Sequence, residues 1–173
     1  MEGSARRAVI FVDNSYQELE AWYPYLRLQE AGVSVHFCGA KAGQIYESKL
    51  GYPAKAEFAY SELSVAEFDA VLIPGGFAPD RIRRHREANL FVKQMNDAGK
   101  LVAAICHGPW VLCSADGLLR GRRVTAFHSI KDDVVNAGAR WEESCAVADG
   151  NLVTAQGPED LPRFMQLILE RLQ

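Results

Sequence analysis

Cys106 and His107 stand side by side at the end of the apolar run Leu101-Val102-Ala103-Ala104-Ile105 and directly before Gly108-Pro109. A thiol next to an imidazole offers a nucleophile and a base, the two groups that covalent catalysis at a carbonyl carbon requires. The apolar run reads as a buried parallel strand. Trp110-Val111-Leu112 reads as the first turns of a helix. Ala104 and Gly108, each two residues from the cysteine, are small. A sharp strand-to-helix turn needs that if it is to push one reactive side chain out over a sheet as a nucleophile elbow. A thiol at a helix N-terminus is expected to have a lowered pKa, which raises its thiolate fraction and its susceptibility to oxidation. The alternative for Cys106 is a small buried apolar residue. For His107 the choice lies between a proton shuttle and an imidazole laid over the elbow, bonded to backbone. Its backbone N–H follows the nucleophile directly and is an oxyanion donor on either reading.

Two further segments carry chemistry. Pro74-Gly75-Gly76 follows the apolar strand Ala70-Val71-Leu72-Ile73, and paired glycines let backbone N–H groups approach a developing negative charge. Gln17-Glu18-Leu19-Glu20 opens the first helix. Glu20, if it faces a pocket, should have its pKa raised by burial, and a protonated carboxyl can hydrogen-bond a thiolate. Glu18 fits better as a solvated helix residue. Asp80, from spacing alone, reads as a helix cap. The run Arg81-Ile82-Arg83-Arg84-His85-Arg86 reads as a solvated helix face or subunit contact, with an anion site as the lesser alternative. His36 reads as a strand residue, and His128, after a strand end, is a candidate for the pocket wall.

These residues must be positioned by alternating strands and helices. Strands are expected over Ala8–Val12, Ser34–Cys38, Ala70–Ile73, Leu101–Ile105 and Arg123–Phe127, with a ribbon from Gln44–Glu47 and Ala54–Phe58. Ala146–Ala148 and Leu152–Ala155 flank Asp149-Gly150-Asn151, a hairpin signal. Helices are expected over Gln17–Ala31, with Pro24 kinking or breaking it, and over Val65–Phe68, Arg86–Ala98, Ile130–Ala137 and Glu159–Leu172. Gly32, Gly99 and Gly138 act as stops. The alternation gives an α/β protein, one domain over residues 1–173, with a mostly parallel sheet in a three-layer α/β/α sandwich. Ligands of such sheets bind beyond the carboxyl ends of the strands, where all three segments fall.

The 173 residues suit one domain with a full core. A net charge of −3 gives no electrostatic case for nucleic acid or an anionic membrane. No apolar run approaches the roughly 20 residues that span a bilayer. Met1 to Arg7 lead into a strand-like run and not a signal-peptide core, so the expected location is the cytoplasm. The four cysteines, Cys38, Cys106, Cys113 and Cys145, form no C-x-x-C pair, which argues against a zinc site and a disulfide framework. Cys38 and Cys113 read as buried core cysteines. No cofactor or metal is expected.

Taken together, the chain resembles the PfpI family of cysteine peptidase-like proteins. That family lies in the superfamily of class I glutamine amidotransferases and the Parkinson-disease protein deglycase. The motifs that carry the resemblance are Glu20 four residues before Pro24, Ile73-Pro74-Gly75-Gly76, Ala78-Pro79-Asp80, and Ala104 through Pro109. Gly121-Arg122-Arg123, Ile130 through Asp133, Ala137-Gly138-Ala139 and Asp149 through Val153 extend it nearly end to end. The resemblance implies a flavodoxin-like fold, Cys106 as nucleophile with His107 as partner, Glu20 as an acid near the thiol, and oxyanion backbone at Gly75, Gly76 and His107. It also implies a homo-oligomer. In the family's peptidases a carboxylate from the Ala-Pro-Glu turn of a neighbouring subunit orients the histidine. Asp80 occupies that place here, one methylene shorter. The only His-x-Glu, His85-Arg86-Glu87, lies upstream of the cysteine, which argues against amidotransferase activity.

The expected function is a cofactor-independent cysteine hydrolase acting on a carbonyl or hemiaminal carbon, with peptides or glycated adducts as substrate. A glutathione-independent glyoxalase acting on methylglyoxal is one alternative. A stress protein that senses oxidation through Cys106 is another, and a plain binding module is the third.

Overall fold

Short apolar runs separated by turn residues become the strands of one central sheet. The computed structural model describes residues 6–173; the lead-in Met1–Ala5 lies outside them. Along the chain the strands are β1 (Arg7–Phe11), β2 (Ser34–Gly39), β3 (Ile45–Glu47), β4 (Pro53–Lys55), β5 (Phe58–Ala59), β6 (Ala70–Ile73), β7 (Leu101–Ile105), β8 (Arg123–Val124), β9 (Arg140–Trp141), β10 (Ala146–Asp149) and β11 (Leu152–Ala155). Seven of them form the main sheet in the order β10-β11-β7-β6-β1-β2-β5. All its pairings are parallel except β10 with β11, the hairpin turned at Asp149-Gly150-Asn151. Every residue of β6, β7 and β11 is buried, as expected where helices cover both faces of a sheet.

The helices are α1 (Glu18–Glu30), α2 (Ala78–Ile82), α3 (Arg86–Asp97), α4 (Pro109–Ser114), α5 (Lys131–Asn136) and α6 (Leu161–Leu172). α3 buries Ala88, Phe91, Val92 and Met95, one stripe at helical spacing, against β6 and β7. α6 buries Leu161, Phe164, Met165, Ile168 and Leu172 against β7, β10 and β11, and packs beside α1. The result is the three-layer sandwich expected from the alternation, with the flavodoxin-like fold that the resemblance implies.

Three local expectations change. Pro24 neither breaks nor splits α1, which runs continuously past it with Pro24 buried; losing one N–H removes a single helix bond, which packing offsets. The ribbon's second arm ends at Lys55, and Phe58–Ala59 joins the main sheet beside β2 as a separate strand. The strand expected over Arg123–Phe127 stops at Val124, after which the chain crosses the elbow, with Phe127 N–H donating to the Cys106 carbonyl at 3.0 Å. β9 had no sequence signal, being too short to show a period.

Several of the downstream motifs form one polar hub. The Arg122 guanidinium donates to Asp149 Oδ2 at 3.1 Å, Asn96 Oδ1 at 3.0 Å and Asn151 Oδ1 at 3.2 Å. Asn151 in turn donates to the Lys100 carbonyl at 2.8 Å, just before β7. These motifs hold the far end of the nucleophile's strand and touch no chemistry.

Candidate active site

The sheet order reverses between β1 and β6: β2 lies on one side of β1, β6 and β7 on the other. Such a switch opens a crevice at the carboxyl ends of the strands. The loops leaving β1, β6 and β7 meet there. Among the described residues two non-glycines have positive φ, Ser15 at 65° and Cys106 at 60°, and both sit in these loops. An L-residue in that region costs about 1–2 kcal/mol, a cost the surrounding packing must sustain.

The small residues around Cys106 are required by contact. A Cβ on Gly108 would lie 2.3 Å from the Ile73 carbonyl oxygen. On Gly75 it would lie 2.7 Å from Cys106 Cβ, 2.7 Å from Glu20 Oε2 and 2.9 Å from His107 N. Gly76, at φ 75°, would drive a Cβ to 2.4 Å from the Ser15 carbonyl oxygen. The elbow itself is tied down by Cys106 N–H donating to the Ala155 carbonyl at 3.0 Å and Gly108 N–H to that of Ile105 at 2.8 Å.

Glu20 enters from the first turn of α1, set by Gln17, whose side-chain oxygen accepts the Glu20 N–H at 2.9 Å. Its carboxyl is 2% exposed. Oε2 accepts the Gly75 N–H at 2.7 Å, and Oε1 is buried with no partner in the structure. Burial pushes the carboxyl up to about 7, against the pull of the Gly75 N–H. The same bond commits the Gly75 N–H, so of the three oxyanion donors expected from sequence only those of Gly76 and His107 face the sulfur.

Burial and the nearby Glu20 carboxylate push the Cys106 thiol up to about 12, while the N–H groups of Gly76 and His107 pull it down. The lowered resting pKa expected from a helix N-terminus is therefore absent; α4 has six residues, and desolvation outweighs its end. The Glu20 contribution holds only while that carboxyl is ionised. A proton on the carboxyl turns repulsion of the thiolate into hydrogen-bond donation, so the two groups share one proton.

Cys106 Sγ lies 3.3 Å from His107 Nδ1, and His107 Nε2 lies 3.2 Å from Ser129 Oγ. The ring stacks on Phe127 at 4.9 Å and meets Trp110 edge-on at 5.2 Å. Trp110 is itself fixed by donating to Asp133 Oδ2 at 2.8 Å. Burial, with Lys49 and His128 adding, holds the imidazole below its usual pKa, so it is neutral at pH 7. With Nε2–H directed to Ser129, Nδ1 is free to accept the thiol proton.

Asp80 is placed differently from expectation. It lies inside α2, whose N-cap is Phe77, and it pairs with Arg84 on the half-exposed surface. Within one chain the imidazole's second nitrogen meets Ser129 and not Asp80. Of the basic run, Arg81, Arg84 and Arg86 are exposed and Ile82 is buried, with Arg83 donating to Ser114 Oγ at 2.9 Å. His128 is exposed and lies outside the cavity lining. His36 is a strand residue, held between Ser34 Oγ and Glu57 Oε2. Cys38 is buried, but Cys113 is only partly so and Cys145 is exposed.

The cavity over the sulfur holds about 200 Å³ and is walled by Glu20, Lys49, Phe77, His107, Phe127 and Pro158 among others. A larger groove of about 430 Å³ lies beside it between α1 and the 50–52 turn, lined by Leu19, Trp22, Leu26, Leu50 and Tyr52, and carries no nucleophile. Sequence reading missed Lys49, Phe127 and Ser129, which come from turns with no motif of their own. Trp110 sat in view, three residues from His107, but read as helix. Among the described residues no group of three or more His, Cys, Asp or Glu is arranged for a metal ion, and no helix is long and apolar enough to cross a membrane.

A parallel sheet with a cysteine at a left-handed elbow over its switch point defines a class of α/β proteins with a nucleophile-type turn. The sequence profile of the DJ-1/PfpI family matches residues 6–171, and the chain belongs to that family. It is 42% identical over 167 residues to a deglycase of Pyrococcus abyssi, covering 96% of this chain and 99% of that protein. It is 40% identical over 160 residues to the deglycase PfpI of Pyrococcus furiosus, covering 92% and 95%. Among solved structures, a two-domain protein from Anabaena variabilis with DJ-1/ThiJ/PfpI-like and ferritin-like domains superimposes with a TM-score of 0.94 at 40% identity. That match covers 96% of this chain and 48% of the Anabaena protein, so the chain spans about half its length.

Proposed function

We propose that the protein is a cofactor-independent, cysteine-dependent deglycase that acts on small carbonyl-derived adducts. The reading rests on one arrangement: a strained Cys106 with His107 Nδ1 at 3.3 Å, under a cavity of only about 200 Å³. A space of that size suits a few-carbon adduct better than an extended peptide. The deglycase names of relatives about 40% identical support the same choice.

For an amine bearing methylglyoxal as an aminocarbinol, the steps balance without an external oxidant. His107 Nδ1 takes the thiol proton, the sulfur attacks the carbinol carbon, and the C–N bond breaks as the amine leaves with a proton. The resulting hemithioacetal is oxidised to a thioester while the adjacent ketone is reduced to an alcohol, by an internal proton shift. Water then cleaves the thioester to give lactate and the free thiol. The Gly76 and His107 N–H groups are aimed where negative charge develops. Protonated Glu20 steadies the thiolate between steps. Free methylglyoxal entering the same hemithioacetal makes glyoxalase activity a variant of this cycle.

The partner part of the reading is a homo-oligomer in which Asp80 of a neighbouring chain reaches His107. Its support is that His107 meets no carboxylate among the described residues of its own chain, and that Leu19, Leu26, Leu50 and Tyr52 leave apolar surface exposed. Lactate release from a methylglyoxal-lysine adduct, run beside cleavage of a fluorogenic peptide, separates the substrate classes. Adduct turnover that exceeds peptide cleavage and disappears in Cys106→Ser supports the proposal. Peptide cleavage alone overturns it.

A further inference from the structure

We propose that Lys49 reads a carboxylate on the substrate, so that the site prefers small anionic electrophiles to neutral ones of the same size. The inference rests on the cysteine-dependent reading above and narrows its substrate class.

Lys49 lines the same cavity as Cys106, His107 and Glu20. Its backbone is fixed: its N–H donates to the Tyr16 carbonyl at 2.9 Å, and Ser48 Oγ accepts the N–H groups of Leu50 at 3.2 Å and Tyr52 at 2.9 Å. The turn is thus pinned against the loop that leaves β1. The ammonium stands 5.9 Å from the centre of the Phe77 ring, an aromatic face 66% exposed at the cavity wall.

Among the described residues Lys49 enters no ion pair, whereas Arg84, Lys93 and Arg122 each have one. Glu18, the nearby acid, lines the adjacent apolar groove and not this cavity. Glu20, which also lines the cavity, is buried, with Oε2 accepting the Gly75 N–H and burial favouring its protonated form. Lys49 is the standing positive charge of the cavity, and its field reaches both His107 and Glu20, adding to the burial that lowers the imidazole and pulling against the burial that raises the carboxyl. A cation that lines the nucleophile's cavity, near an aromatic ring and in no ion pair among the described residues, is matched by an anion on the incoming molecule. A volume of about 200 Å³ leaves room for a carboxylate one or two carbons from the reacting centre.

Alkylation of Cys106 by iodoacetate and by iodoacetamide tests this directly, since the two reagents share a reacting carbon and size and differ in charge. Rates are read by peptide mass spectrometry at fixed pH and low salt, with exposed Cys145 as internal control. The iodoacetate-to-iodoacetamide rate ratio at Cys106 is expected to fall about 5-fold in Lys49→Gln, further in Lys49→Glu, and to persist in Lys49→Arg. The ratio at Cys145 should not move. An unchanged Cys106 ratio in Lys49→Gln overturns the assignment while leaving the cysteine reading intact. If neither reagent modifies Cys106 while both modify Cys145, the reactive-cysteine reading falls, and the Lys49 assignment falls with it.

Discussion

Glu20 is bound to the backbone of Gly75, its Oε2 accepting the Gly75 N–H at 2.7 Å while Oε1 stays buried without a partner. One contact joins α1 to the loop after β6 and sets an acid beside the Cys106 sulfur. It also explains why position 75 admits no side chain, since a Cβ there would lie 2.7 Å from that same oxygen.

A buried carboxyl held near 7 makes stability depend on pH. The folded protein keeps the Glu20 proton where the unfolded chain, at about 4.5, releases it. The stabilisation is therefore complete below the unfolded value and is lost as pH rises through about 7. Glu20→Gln, which cannot ionise, should gain on the wild type by about 3 kcal/mol between acid and mildly alkaline pH. Denaturant unfolding of both proteins across that range checks it; parallel curves would contradict the buried-acid assignment.

The elbow trades stability for placement of the sulfur. Cys106→Gly removes the penalty of φ 60° as well as the thiol, whereas Cys106→Ala removes the thiol alone. Both should be inactive, and the glycine variant should unfold at higher denaturant, by about 1 kcal/mol. If the alanine variant is the more stable, the turn is not strained.

Asp80 is placed by the proposal across a subunit boundary. Protomers carrying Asp80→Ala and protomers carrying Cys106→Ser should each be inactive alone. Unfolded together and refolded, they should regain activity, because the mixed oligomer contains sites with both residues intact. No recovery, with oligomers formed, would place the Asp80 carboxylate outside the site.

Selective oxidation offers a separate check on Cys106. Backbone N–H groups of Gly76 and His107 aimed at the sulfur would hold sulfinate oxygens and pull against the burial that raises the Cys106 thiol, whereas burial and the Glu62 carboxylate both raise that of Cys38. Mass spectrometry after mild peroxide should find added oxygen on Cys106 before Cys38 and Cys113. Equal modification would argue against both a reactive thiol and a sensing role.

The sheet was legible because its strands are short apolar runs bounded by turn residues, and the elbow because Ala104 and Gly108 bracket a cysteine at a strand end. What stayed hidden has physical reasons. Lys49 and Phe127 reach the cavity, and Ser129 reaches His107, only through the three-dimensional course of the chain, and no local spacing encodes that. The resting pKa of Cys106 depends on burial and on a carboxyl 86 residues upstream in the chain, so reasoning from the helix terminus alone got its direction wrong. Asp80 read as a cap because α2 is too short to show a period, and its first turn begins at Phe77 instead. The downstream motifs were visible, but only the fold shows that Arg122, Asp149 and Asn151 brace a strand and lie outside the lining of the Cys106 cavity.

The central claim is that Cys106 carries the substrate covalently. Acid-quenching the enzyme during turnover of a methylglyoxal-lysine adduct, followed by peptide mass spectrometry, tests it most directly. The account predicts a three-carbon acyl group on Cys106, none on Cys38, Cys113 or Cys145, and neither acyl-enzyme nor lactate from Cys106→Ser. Lactate formed at an undiminished rate by Cys106→Ser, or an acyl group on another residue, would contradict it.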